Sequence, residues 1–405
     1  MMIVEVEFRK FSGQSKEGSI YYLVKHEQFH LRMKSNYVLF ENEWDNEIRD
    51  IIIDAGERKD YIGKIRCFVI AERDLLEKIV CRFIENKSRY TVDDVYREYN
   101  RLLSEMSFFS FIDGCISVLR TEGHWGTAQN YMRARNSFIE FIGCDMLPFT
   151  AITGELMVIY DRWLRKKEVS RNSRSFYMRQ LRSVYNKAVN LGLTTQHFPF
   201  KSVYTGIDKT RKRAVEESVI KRLIRLNLSC CSSLSFTRDL FLFSFYMRGI
   251  AFVDMAFLKK SNVRNGFIRY TRRKTGCLME VKLEDCMKEI LERYAHKVSY
   301  SEYLLPIITE KDEDKAYKQY QNKRSYYNKQ LKKLSDMLCL EIPLTSYVAR
   351  HTWATIARNM NISLSVISAG MGHTSETMTK IYLASLDASM IDNANSRILS
   401  CLECI

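Results

Sequence analysis

The sequence predicts a mainly α fold with small β-sheets, in three parts. These are an N-terminal β-rich module, an all-helical domain and an α+β C-terminal domain. Three observations predict this. The chain has 405 residues, more than a single core usually organises, with 46% hydrophobic residues and only four prolines to interrupt helices. Near the N-terminus, apolar residues alternate with charged ones, the period of a half-buried strand. From about residue 106 onward the apolar spacing is helical, broken by one hairpin-like stretch at 261–283.

The elements follow in order. Val4, Val6 and Phe8 alternate with charged neighbours, and residues 20–24 and 37–40 are short β-rich runs separated by Gly, Lys, Ser and Asn. A helix is expected from about Trp44, with 47–90 largely helical, so residues 1–90 form the first module. Its basic strands suit a small DNA-reading sheet, and a plain structural module is the alternative. A second unit, 91–200, opens on Thr91-Val-Asp-Asp94, which resembles a capping box. Its clearest helix is 173–191, where Met178, Leu181, Val184, Ala188 and Leu191 share one face and Gly192 stands at the C-terminal cap. Arg174, Arg179, Arg182 and Lys187 decorate the rest of that helix, as a solvated face or as DNA contacts.

Residues 201–213 are polar, basic and weakly periodic, and read as an interdomain linker. The third unit, 214–405, has helical stretches at 215–226, 236–247, 252–258 and 284–295, then 317–340, 346–360, 363–370 and 375–383. The hairpin at 261–283 lies among them, with Lys274-Thr-Gly at its turn.

The formal net charge of +15 points to a polyanion, most commonly nucleic acid, whose counterions are released on binding. Charge alone also fits a generic basic protein kept soluble by repulsion. No apolar run approaches the ~20 residues of a membrane helix. The first residues lack the basic-then-apolar pattern of a signal peptide, so a cytoplasmic location is expected. The eleven cysteines then read as reduced thiols, and the Cys401-Leu-Glu-Cys404 spacing as chance.

Five residues in the third unit suggest a reaction. Cleaving a phosphodiester without a metal needs a nucleophile, positive donors on the non-bridging oxygens, and an acid for the leaving 5′-oxygen. Arginine suits the donors, because its planar fork matches phosphate and stays charged. Lysine crowded by cations suits the acid. Tyrosine can serve as a covalent nucleophile that conserves the bond energy for rejoining. The sequence offers Arg248 in Phe-Tyr-Met-Arg-Gly, Lys274 in Arg-Arg-Lys-Thr-Gly, Arg350 in Tyr-Val-Ala-Arg-His, His373 in Met-Gly-His, and Tyr382 nine residues later. Taken singly, each has a plain reading: an ion-pair arginine, a turn lysine, a helix-capping pair, a helix-ending Gly-His, a packed aromatic. Their joint order and spacing favour function.

In that order these residues resemble the active site of the tyrosine recombinase (phage integrase) family, and the stretches 238–250 and 346–355 are similar to integrases of Bacteroides-type mobile elements. Motif-level resemblance covers roughly 214–390. The resemblance implies an arm-like N-terminal domain, a SAM-like core-binding domain and a catalytic domain, the last two clamping duplex DNA. It implies that Arg248, Arg350 and His373 grip the phosphate, that Lys274 is the general acid, and that Tyr382 forms a 3′-phosphotyrosyl link, with no cofactor and no metal. Asp254 stands where the family often has an acidic residue supporting the first arginine. One position departs: three residues before Arg350, where the family usually has histidine, stands Tyr347, a poor base near neutral pH. Either His351 or His373 compensates, or deprotonation is shared differently. His351 and Trp353 are otherwise expected to be structural. Leu386, Met390, Ile391, Ile398 and Leu399 form an amphipathic tail which, in the family, packs on a neighbouring protomer, implying a tetramer on DNA. Accessory DNA-bending or directionality proteins are further partners of such enzymes. A regulator with a dead site and a type IB topoisomerase are the alternative functions.

Overall fold

The computed structural model describes residues 2–12, 16–26, 29–53, 56–86, 90–105, 107–208, 214–373, 375–382 and 399. The chain is mainly α with small antiparallel sheets. It divides into two compact units, 1–209 and 210–405.

The first unit opens with strands β1 (Met2–Lys10), β2 (Glu17–His26) and β3 (Phe29–Phe40), antiparallel in that order. The alternation seen in the sequence sets the two faces. Val4, Val6, Ile20, Tyr22, Val24, Leu31 and Met33 point into a core, while Glu5 faces outward and pairs with Lys25 and Arg49. The helix expected from Trp44 starts later. Strand β4 (Trp44–Asp45) pairs instead with β5 (Asp50–Ile51) in a small hairpin. The Asp45 carboxylate accepts from the amides of Glu47 and Ile48, and Arg49 takes a left-handed φ of 52°. This local bonding competes with a helix and wins.

Helix α1 (Lys59–Glu85) follows. Its apolar residues form two faces. Ile62, Ile65, Val69, Leu76, Ile79 and Val80 pack on the sheet, whereas Cys67, Phe68 and Ala71 join the core of the next helices. Between the faces, Glu72 accepts from Tyr22 Oη at 2.8 Å and Tyr37 Oη at 2.5 Å. Burial pushes its carboxyl up even so. Helix α2 (Val92–Glu105) opens on the expected capping box, with Thr91 and Asp94 exchanging hydrogen bonds. Its Val95, Tyr99, Leu102 and Leu103 lie in the sheet's core. Thr91 therefore begins a helix that belongs with the N-terminal module, and the packing changes only beyond residue 105.

Four helices make the next body: α3 (Phe108–Thr121), α4 (Trp125–Ile142), α5 (Gly154–Lys166) and α6 (Arg171–Asn190). Phe108, Phe138, Phe141 and Tyr160 form a chain of stacked, tilted and edge-on rings at its centre. Met178, Leu181, Val184 and Ala188 are fully buried there, as their spacing predicts. Leu191 is 68% exposed, because α6 ends at Asn190 and the helical period no longer aims it inward. The charges on α6 hold their own unit together. Arg179 and Arg182 donate to Gly206 O and Thr205 Oγ1, and Arg174 faces Asp161.

The second unit contains α7 (Glu217–Arg225), α8 (Ser232–Tyr246), α9 (Phe252–Ala256), strands β6 (Val263–Arg264), β7 (Phe267–Thr271) and β8 (Leu278–Lys282), then α10 (Asp285–Tyr294). It closes with α11 (Glu313–Met337), α12 (Val348–Asn359), α13 (Leu364–Gly370) and α14 (Glu376–Tyr382). The hairpin lies where the sequence puts it. Helix α11 starts four residues early because Asp312 caps it, accepting from Lys315 N at 2.9 Å. Phe241, Phe243, Ile268, Val281, Leu331, Leu334 and Val348 fill the core. Among the described residues, no helix is long and apolar enough to cross a membrane.

Glu72→Ala leaves two phenol hydroxyls without their acceptor, and is expected to lower stability by ~2–4 kcal/mol in denaturant titration. Glu72→Gln keeps an acceptor oxygen and is expected to lose less than half as much.

Candidate active site

The site is built where α8 stops. The helix ends at Tyr246, Met247 caps it, and Arg248 and Gly249 both turn left-handed, with φ of 56° and 74°. Their amides close on Phe245 O and Ser244 O. A left-handed arginine is uncommon and costs energy, so the surroundings must hold it. Gly249 shows what they require. A Cβ there would stand 2.4 Å from Arg350 Cα, so only glycine lets α12 approach this closely.

Arg350 lies in the first turn of α12 and is 4% exposed. Its guanidinium donates to Gly249 O at 2.9 Å and Met371 O at 2.6 Å. His373 Nε2 lies 2.9 Å from Nη2. A guanidinium can only donate, so Nε2 accepts. The ring proton then sits on Nδ1, which donates to Thr379 Oγ1 at 2.8 Å. Burial and the positive charges of Arg350, Arg272 and Lys274 push His373 down to about 4, so the ring is neutral near pH 7. Gly370 brings Arg248 to the same place: a Cβ on it would meet Arg248 Cδ at 3.7 Å.

Lys274 is exposed in the β7–β8 turn, and its charge is felt at His373. Two contacts fix that turn. Asp254 Oδ1 accepts from the amide of Arg273 at 3.0 Å, and the buried Arg272 donates to Gly372 O at 2.8 Å. Asp254 thus holds the turn that carries Lys274. No hydrogen bond joins it to Arg248 among the described residues, so the support expected for the first arginine goes elsewhere. Burial raises the Asp254 carboxyl, against the pull of the Arg273 amide and the guanidiniums of Arg272, Arg273 and Arg350.

Tyr382 is the last residue of α14, and its side chain lies outside the described residues. So do Leu386, Met390, Ile391, Ile398, Cys401 and Cys404. Leu399 is described and half exposed. Tyr347 caps α12 and is 42% exposed, with its ring 6.3 Å from that of His351. Trp353 packs beside Ala354, Ala357, Ile367 and Met371, with its ring against Gly370.

Two family profiles match the sequence. One is described as the phage integrase SAM-like domain and covers residues 107–203. The other is described as the phage integrase family and covers residues 214–389. The chain belongs to the phage integrase family of tyrosine recombinases. It is a site-specific recombinase. Two solved structures of one transposon integrase agree in fold. The Tn1549 transposon integrase in complex with a circular intermediate DNA is 13% identical, with a TM-score of 0.53 over 72% of this chain and 99% of that one. The same integrase with transposon right end DNA is 12% identical, with a TM-score of 0.51 over 73% and 100%. A lambda integrase dimer bound to a COC′ core site is 16% identical, with a TM-score of 0.48 over 89% and 91%. No curated protein matches the sequence.

The structure of this recombinase brings Arg248, Arg350 and His373 together, with the charge of Lys274 reaching His373. Sequence reasoning missed Arg272, Gly249 and Thr379. Arg272 was visible only as one of two arginines before Lys274. Nothing in the sequence distinguishes which of the two turns inward.

Gly249→Ala combines a left-handed φ with a collision against Arg350, and is expected to cost ~2–4 kcal/mol in thermal or denaturant unfolding. A second expectation concerns pH. His373 is depressed in the folded state, so the unfolded chain binds the extra proton first. Its contribution to stability is complete above about 6.5, the ordinary value, and is lost as pH falls toward about 4. His373→Gln is expected to remove that part of the pH dependence, and an NMR titration should show the wild-type ring half-protonated near 4.

Proposed function

We propose that this recombinase cuts one strand of duplex DNA by attack of Tyr382 on the scissile phosphate, giving a 3′-phosphotyrosyl link and a free 5′-hydroxyl. The carrying observation is the Arg350 guanidinium, buried and held by Gly249 O, Met371 O and His373 beside the left-handed Arg248. Attack adds negative charge to the non-bridging oxygens. Donors already fixed in place stabilise that charge without reorganising. Arg248 and Arg350 are the main donors. His373 is neutral, so it orients the arginine and the phosphate contacts and adds no charge. Lys274, on an exposed turn and with its charge felt at His373, donates its proton to the leaving 5′-oxygen. The phenol of Tyr382 gives its proton to solvent, and the bond to phosphorus forms as the P–O5′ bond breaks and the 5′-oxygen takes the proton of Lys274. Attack by the 5′-hydroxyl of a partner strand reverses the step.

Exchange of two strand pairs in succession completes recombination, and serves the integration, excision or inversion of a DNA segment. Such exchange needs two bound duplexes and four active sites, so a tetramer on DNA is the working assembly, reached with accessory DNA-bending or directionality proteins. The solved Tn1549 relatives, captured on a circular intermediate DNA and on transposon end DNA, support duplex DNA as the partner. The net charge of +15 supports it as well. The enzyme then works in the cytoplasm, at the nucleoid.

A nicked suicide DNA carrying the end of the DNA element that encodes the chain tests this reading. With EDTA present to silence nucleases, wild type is expected to give a protein–DNA band on a denaturing gel, and Tyr382→Phe none. No band from wild type, with binding intact in a mobility shift, would overturn the reading.

A further inference from the structure

Helix α14 ends at Tyr382 and presents mostly exposed residues: Glu376, Thr377, Met378 and Lys380 all face solvent. Thr379 is the exception, with no exposed surface. A buried threonine in a helix commonly bonds back to the carbonyl one turn earlier. Here its hydroxyl meets a ring from outside the helix, accepting from His373 Nδ1 at 2.8 Å. The other side of that ring meets Arg350 Nη2 at 2.9 Å. One imidazole therefore spans from the helix of the nucleophile to the guanidinium expected to hold the phosphate.

We propose that Thr379 is a positioning residue for strand cleavage, setting the guanidinium of Arg350 through the imidazole of His373 and tying the helix that ends at Tyr382 to it. This inference rests on the proposed function and deepens it.

The argument is one of donors and acceptors. The imidazole has one proton when neutral, and either nitrogen can carry it. Facing a guanidinium, Nε2 must present a lone pair. That demands the proton on Nδ1, and an Nδ1–H turned toward the fully buried Thr379 demands an acceptor there. Thr379 Oγ1 is that acceptor. Without it the other tautomer points an N–H at Arg350, donor against donor, and the guanidinium loses one of its anchors. The helix loses its buried polar tie to the site at the same time. Thr379 stands three residues before Tyr382, less than one turn away, so slack there reaches the nucleophile directly.

The test is single-turnover cleavage of the nicked suicide DNA at saturating enzyme, with DNA affinity measured separately by mobility shift. Thr379→Val keeps the shape and removes the hydroxyl. It is expected to slow cleavage ~10–100-fold, the effect typical of losing a partner that orients a site ligand, while affinity changes by less than ~2-fold. Thr379→Ser restores the acceptor and is expected to cleave within ~3-fold of wild type. In a His373→Ala background, Thr379→Val is expected to add less than ~2-fold, because the relay it serves is already gone. A merely packed threonine predicts otherwise: equal losses in both backgrounds, and no rescue by serine. Either result overturns the inference, as does a Thr379→Val enzyme that cleaves at the wild-type rate. A wild type that forms no covalent product overturns the reading of the site as well. A wild type that cleaves alongside any of the contrary variant results overturns this inference alone.

Discussion

The catalytic unit depends on one buried guanidinium. Arg350 donates to the carbonyls that follow α8 and α13 and meets the imidazole of His373. Two segments distant in sequence, at Gly249 and at Met371–His373, are thereby fixed to one side chain of α12. These carbonyls and the imidazole are neutral, so they orient the guanidinium without cancelling its charge. A buried charge of this kind is expensive for the fold and useful to an incoming anion. The depressed His373 records the same field, since Arg350, Arg272 and Lys274 all oppose a second proton on that ring.

Several features follow from placing this charge. Gly249 is required because α12 comes so near that any Cβ would strike it. Arg248 accepts a left-handed backbone, a local cost that sets its side chain beside Gly370. The β7–β8 turn is pinned where it leaves β7. Arg272 reaches Gly372 O, and the Arg273 amide reaches Asp254. These pins leave Lys274 at the exposed tip, where a proton donor to a leaving group needs to be. Buried charge gathers here at Asp254, Arg272 and Arg350, while the helical body of the first unit centres on an apolar and aromatic core.

Much of this was legible in the sequence, for identifiable reasons. Periodicity located the strands of the N-terminal sheet, α6 and the catalytic hairpin, because those elements bury one face. It failed at Trp44, where an aspartate's local hydrogen bonds replace a helix, and at Thr91, where a correct capping signal gave the helix but not the body it packs on. Helix α1 hid the boundary, since it serves two cores at once and reads as continuous. The residues of the proposed chemistry stood out by order and spacing. Their supports did not. Thr379 and Arg272 act through what they touch, and Asp254 proved to hold an amide of the turn rather than an arginine. Such pairings exist only in three dimensions.

The central claim is that this scaffold serves a single tyrosine on α14. The direct test is to trap the covalent complex on suicide DNA, digest both protein and DNA, and locate the nucleotide-bearing peptide by mass spectrometry. The account predicts a nucleotide adduct on Tyr382. An adduct on Tyr347, the exposed phenol three residues before Arg350, would contradict it, because the relay through His373 and Thr379 would then serve a helix that carries no nucleophile.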